Sequence, residues 1–165
     1  MKKFIALFLI CLPLMAVAQT DNKYLEGAVP VNNDKVEFST ELQVPAMTKQ
    51  QIYDTMLDWA NNKFQPKDKF NARVLYTNPQ DGSIAVGGEE YMVFSSSALS
   101  LDRTRIYYLL SIVCDNGKCQ IDMNRIRYWY NEARDGGEKY TAEEWITDEM
   151  ALNKAKTKLA PVCGK

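Results

Sequence analysis

The chain reads as an α+β protein: an antiparallel sheet of about five strands with helices on one face, in the order β-α-β-β-β-β-α. Three stretches predict this. Val36 to Val44 alternates apolar and polar residues with the period of a strand. Thr48 to Phe64 carries apolar residues at helical spacing behind a capping box. Arg105 to Asn131 is a pair of strand-like runs folded about Asn116-Gly117, a strong two-residue hairpin signal.

Taken in order, residues 19 to 34 form a polar lead-in, with turn chemistry at Asn32-Asn33-Asp34. Val36, Phe38, Thr40, Leu42 and Val44 then share one face of a strand, and Glu37, Ser39, Glu41 and Gln43 share the other. One buried and one wet face are expected. Pro45 ends the strand, because proline donates nothing to a ladder. Thr48 and Gln51 make the capping box of the first helix. Tyr53, Met56, Leu57, Ala60 and Phe64 form its apolar stripe, Ile52 and Trp59 widen it, and Pro66 closes it. Arg73–Thr77 and Ser83–Phe94 flank the turn at Asn78 to Gly82. Gly87-Gly88 in the second strand predicts a bulge or a close backbone approach. Ser95 to Asp102 reads as a loop, the serine run Ser95-Ser96-Ser97 included.

The last hairpin can be read in register. With Asn116-Gly117 as the turn, Cys114 faces Cys119, Ile112 faces Ile121 and Leu110 faces Met123, all on the core face. Continued unchanged, that register would bury Arg125 and Arg127 and expel Ile126 and Tyr128. Unpaired buried arginines are costly. A bulge near Asn124 or Arg125 is therefore predicted, returning Ile126 and Tyr128 to the core. Arg134 to Gly137 is a loop, and Thr141 with Glu144 is a second capping box, opening a helix through Trp145, Ile146 and Met150.

The first eighteen residues predict an address. Met1-Lys2-Lys3 is a basic head, Phe4 to Val17 is an apolar run too short to remain as a membrane span, and Ala16-Val17-Ala18 presents small residues to a signal peptidase. Residues 1–18 are therefore read as a signal peptide, residues 19–34 as the lead-in and residues 35–165 as one α+β domain. The expected location is the periplasm or outer envelope. Cys11 does not read as a lipid acceptor, because Ile10 precedes it and the apolar run continues beyond it. After Gln19 no apolar run reaches spanning length, so no membrane span is expected in the mature chain. The chain carries 20 Lys+Arg against 21 Asp+Glu. That balance offers no basic surplus for nucleic acid. It has no histidine, which removes Ser-His and Cys-His relays and the ordinary catalytic zinc site.

The segment VEFSTELQVPAMTKQQIYDTMLDWANNKF (Val36 to Phe64), the glycine-bearing SIAVGGEE (Ser83 to Glu90), EEWITDEMALNK (Glu143 to Lys154) and the order of elements together resemble a known family. It is a family of exported bacterial proteins of unknown function with a TATA-binding-protein-like (TBP-like) fold. The resemblance covers nearly all of the chain after the signal peptide. It implies an antiparallel sheet with helices packed on one face, and no activity, cofactor or catalytic set. A fold name does not carry DNA binding with it. Relatives continue into a further C-terminal helix, whereas this chain ends at Lys165 after Pro161. The resemblance therefore implies that part of the sheet face is left exposed.

No cofactor and no metal are expected. Three cysteines after Gln19 and no histidine do not complete a zinc site, and Asp115-Asn116-Gly117 lacks the downstream glutamate of a calcium loop. Glu89-Glu90 point to opposite faces of a strand, and Glu143-Glu144 suit a helix start. Cys114 and Cys119 are either a cross-strand disulfide of an oxidising compartment or two buried thiols. Such a short loop limits the entropic worth of that bond to about 2–3 kcal/mol. Cys163 is left over.

The enrichment that points to a binding surface is aromatic: Tyr107, Tyr128, Trp129 and Tyr130, with Tyr108, Tyr140 and Trp145. Arg125 and Arg127 beside them either hold an anionic ligand or pair with Asp122 and Glu132. The alternative is that alternate rings pack in the core and the rest cap the sheet. The reading is a non-enzymatic binding or interaction protein of the envelope, its partner a protein or a small molecule. A carrier of hydrophobic small molecules, using a groove between sheet and helix, is the second reading. A histidine-free hydrolase is the third.

Overall fold

The computed structural model describes residues 24–96 and 101–160. The eighteen residues read as a signal peptide, together with Cys11, Ser97 and Cys163, lie outside the described residues. A short hairpin comes first, β1 (Val31–Asn32) with β2 (Lys35–Val36). Its turn residues Asn33 and Asp34 both have left-handed backbones, φ 48° and 61°, a conformation their short polar side chains tolerate. Then follow β3 (Phe38–Gln43), α1 (Lys49–Lys63), β4 (Arg73–Asn78), β5 (Ser83–Ser96), β6 (Leu101–Asp115), β7 (Lys118–Tyr130), β8 (Glu138–Thr141), α2 (Ala142–Trp145) and α3 (Asp148–Ala151).

Six strands, all antiparallel to their neighbours, form the main sheet in the order β3-β7-β6-β5-β4, with β8 also against β7. The α+β class and the placement of helices on one face are as the sequence predicts. The strand count is one higher than expected. β8 was missed because Glu138–Thr141 is four residues long, mostly polar, and runs directly into a capping box. Both boxes form: Thr48 with Gln51 and Thr141 with Glu144 each exchange the two reciprocal bonds.

The hairpin register is as predicted. Cys114 pairs Cys119, Ile112 pairs Ile121 and Leu110 pairs Met123. The register then shifts opposite Tyr108, where Arg125 has φ 52°. This is the expected bulge. It returns Ile126 (3% exposed) and Tyr128 (5%) to the buried face. The bulge also divides the edge of β7: β3 pairs it up to Met123, and β8 pairs it from Arg127 onward.

Three expectations need correction. The strand expected over Val36 to Val44 is broken at Glu37, and all six residues of β3 are exposed instead of half-buried. Phe38, Thr40 and Leu42 do share the face of Met123, Ile121 and Cys119, but β3 is an edge strand beyond the reach of α1. The loop expected from Ser95 is strand through Ser96, and β6 begins at Leu101. The helix expected from Thr141 to Met150 is two single turns, α2 and α3. The second starts at Thr147, whose side chain makes no cap bond.

The core lies between α1 and the sheet. Ile52, Tyr53, Ala60 and Phe64 of α1 pack on Ile84 and Val86 of β5, Leu110, Ile112 and Cys114 of β6, and Cys119 of β7. Trp59, predicted to widen the stripe, stays 42% exposed and meets Phe64 edge-on. The start of α1 is tied to the hairpin tip by Lys49 N–H donating to Asn116 Oδ1 at 2.9 Å. A Cβ on Gly88 would run into the ring of Tyr108, its cross-strand partner. Gly87-Gly88 therefore marks a close approach.

Candidate functional site

Strand alternation divides the aromatic set between two faces. The inner face, toward the helices, receives Tyr108, Tyr128 and Tyr130. The outer face receives Tyr107 with its cross-strand partner Arg127, and Trp129, which pairs with Arg105 on one side and Lys139 on the other. Arg125 sits in the bulge and is exposed. The six residues singled out by sequence therefore do not form one site.

On the outer face the arginine that gathers partners is Arg105, which sequence reasoning missed. It is 8% exposed. Its Nη1 donates to Glu89 Oε1 at 2.8 Å, and its Nε lies 2.8 Å from Glu132 Oε2 as an ion pair without hydrogen-bond alignment. Lys69 Nζ and the Tyr91 hydroxyl also reach Glu132. Burial is the largest single influence on Glu132 and pushes its pKa up. The bonds from Tyr91, Arg105 and Lys69 together outweigh it and hold the carboxyl below its ordinary value. Arg103 lies over the Tyr91 ring at 3.7 Å, Lys139 over Trp129 at 4.7 Å, and Arg127 over Tyr107 at 5.8 Å. Among the described residues, neither Arg125 nor Arg127 forms an ion pair with Asp122 or Glu132. On the outer face Arg105, Lys69, Glu89 and Glu132 thus satisfy one another, and Arg103, Arg127 and Lys139 lie over rings.

The inner face holds a cavity. Beyond the end of α1, the sheet surface at β5 to β8 is roofed by α2, α3 and the segment Tyr24 to Val29. The space between them is about 520 Å³ and is open on one side to solvent. Trp145 lines it and gathers the other rings. It stacks on Tyr140 at 5.3 Å, meets Tyr128 edge-on at 4.7 Å and Phe94 edge-on at 6.0 Å, and tilts against Tyr130 at 5.9 Å. Met92, Ile146, Leu152 and Leu159 add to the apolar lining, as do Leu25, Ala28, Val29 and Ala151.

Polar groups enter at defined points. The Tyr130 hydroxyl donates to Asp102 Oδ1 at 2.9 Å, and the Tyr140 hydroxyl donates to Glu138 Oε2 at 2.6 Å. Each carboxylate raises the pKa of the tyrosine bonded to it. Tyr128 is 5% exposed and lines the cavity, and its hydroxyl makes no hydrogen bond among the described residues. Burial pushes it up to about 12. Asp102, Glu138, Phe94 and Met92 went unread in the sequence. A signal was present, since Asp102-Arg103 and Glu138-Lys139 place opposite charges on opposite faces. A wider hollow of about 850 Å³ on the far side of Val29 carries no ring and mixes Asp34, Glu143 and Glu149 with Lys154 and Lys156.

Cys114 and Cys119 are buried as thiols with sulfurs 3.9 Å apart. Burial pushes the Cys114 thiol up to about 12, and raises Cys119 as well. Glu89 and Glu90 do point to opposite faces, toward Arg105 and the Tyr108 hydroxyl respectively. Among the described residues no group of three or more His, Cys, Asp or Glu is placed to hold a metal ion, and no helix is long and apolar enough to cross a membrane.

Residues 38–129 match the model of a family described as a domain of unknown function (DUF4468) with TBP-like fold. The crystal structure of a DUF4468 family protein from Bacteroides ovatus ATCC 8483 is 46% identical in sequence. That likeness covers 87% of this chain and 82% of the other, with a TM-score of 0.79. A TBP-like protein from Parabacteroides distasonis ATCC 8503 is 24% identical over 82% of this chain and 80% of its own, with a TM-score of 0.63, a likeness of fold. No curated protein matches the chain. The chain belongs to the DUF4468 family and has its TBP-like fold, as the resemblance carried by Val36 to Phe64 implied.

Proposed function

We propose that this protein is a non-enzymatic binding protein, exported to the cell envelope, which takes a small amphipathic molecule into the cavity around Trp145. The observation that carries this reading is the cavity itself. Its 520 Å³ lies within the range of small-molecule sites, and its walls are rings with a few convergent polar groups. This favours the groove between sheet and helix over an interaction surface, because Arg105, Glu89, Glu132 and Lys69 of the outer face already pair with one another. The basic head, apolar run and Ala16-Val17-Ala18 of residues 1–18 support export. Among the described residues no serine, threonine or cysteine lines the cavity, and Asp102 and Glu138 already accept tyrosine hydroxyls. That supports binding over hydrolysis.

The test uses N-phenylnaphthylamine, a neutral dye that brightens in apolar surroundings. The wild-type protein should brighten it. Ala151→Phe, which fills the cavity from α3, should abolish the signal while circular dichroism and Tm stay unchanged. Equal brightening in both proteins, or none in either, would overturn the reading.

A further inference from the structure

Resting on that reading, the structure assigns the cavity a ligand class: an organic cation, an ammonium group carried on an aryl or alkyl body. Among the described residues the lining has three carboxylates, Asp102, Glu138 and Asp148, and no lysine or arginine. Asp148 is partly answered from outside, since it accepts the Gly27 N–H at 2.9 Å and lies 3.9 Å from Lys156 Nζ. Asp102 and Glu138 have tyrosine hydroxyls as their hydrogen-bond partners among the described residues, and Arg134 acts on the Tyr130 hydroxyl from outside the lining. A hydroxyl disperses a negative charge without cancelling it. A cation entering the cavity would meet that charge in apolar surroundings, where it is screened less than in water.

The rings point the same way. Tyr130, Tyr140, Trp145 and Phe94 group around one space, and an ammonium is drawn to the face of such rings, above all tryptophan. Tyrosines that donate to carboxylates carry richer ring faces than free ones, so Tyr130 and Tyr140 strengthen this preference.

The sheet makes the charge separation by alternation. Arg103, Arg105, Arg127 and Lys139 all lie on the outer face, over Tyr91, Phe70, Tyr107 and Trp129. Their chain neighbours Asp102 and Glu138 lie on the inner face. One strand period thus sends the cations out and leaves the cavity anionic.

The Tyr128 hydroxyl, on the same wall, makes no hydrogen bond to a described residue, so an ammonium N–H can donate to it.

The experiment is calorimetric titration of the full chain with three probes of one shape: 3-phenylpropylammonium, 3-phenylpropan-1-ol and 4-phenylbutanoate. The cation should bind about ten-fold or more tightly than the alcohol, the gain expected of a partly desolvated cation over rings. The acid should show no binding. Glu138→Gln and Asp102→Asn should each weaken the cation several-fold and leave the alcohol unchanged. Equal affinity for cation and alcohol would overturn the ligand class while leaving the binding reading in place. Failure of all three probes to bind would overturn both.

Discussion

Tyr128 joins the two halves of the account at the scale of a single residue. Its ring meets Trp145, and its hydroxyl has no described partner. Removing a hydroxyl that makes no hydrogen bond within the protein costs little, because no bonded partner is left unsatisfied. Tyr128→Phe should therefore leave the Tm unchanged or slightly raised while weakening ligand binding. A loss of more than about 1.5 kcal/mol in denaturant unfolding would mean that the hydroxyl is bonded after all. Gly88 is the opposite case. Its missing side chain is what lets the Tyr108 ring lie against β5. Gly88→Ala should destabilise by about 1–3 kcal/mol, the cost of overpacking a core that must shift to make room. The same substitution at Gly27, which has open space around it, tests backbone conformation instead, since Gly27 has φ 77°.

Among the elements, the bulge in β7 decides which residues form the cavity wall. Without the extra residue, Ile126, Tyr128 and Tyr130 would face outward and Arg127 would be buried. Arg125 holds the left-handed conformation at φ 52° that glycine adopts without strain. Arg125→Gly should preserve the fold and change stability by no more than about 1 kcal/mol in either direction, strain relief opposing the greater freedom of the unfolded chain. Deleting Arg125 should abolish native folding, as read by loss of near-ultraviolet circular dichroism. A deletion variant that keeps native dichroism would show that the register is set elsewhere. The bulge was legible in the sequence because a core pattern and two arginines conflict in one register. The capped helix and the Asn116-Gly117 turn were legible because their signals are local. β8 was not, since its four residues pair only because β7 offers an edge there. Nor was the exposure of β3, which depends on how far α1 reaches. Arg105 and Asp102 looked like the ragged start of a strand. Their roles come from residues far away in sequence, Glu132 and Tyr130.

At the scale of the molecule, the sheet carries a satisfied charge network on one side and an anionic, ring-lined cavity on the other. The network makes stability sensitive to acid through Glu132. Glu132 is held below its ordinary value of 4.5, so its contribution is present above pH 4.5 and is lost as pH falls further. Glu132→Gln should flatten that acid slope in pH-dependent unfolding. An unchanged slope would remove Glu132 from the account. The buried thiols act at alkaline pH. Cys114 is raised from 9.0 to about 12, so in the reduced protein stability is lost as pH climbs above 9. The binding cavity is the claim on which the rest depends, and native mass spectrometry of the protein recovered from its own cell envelope tests it most directly. The account predicts an added mass of a small, positively charged organic molecule, lost in Ala151→Phe. A wild-type protein that emerges at its bare mass, or an adduct that survives in Ala151→Phe, would contradict it.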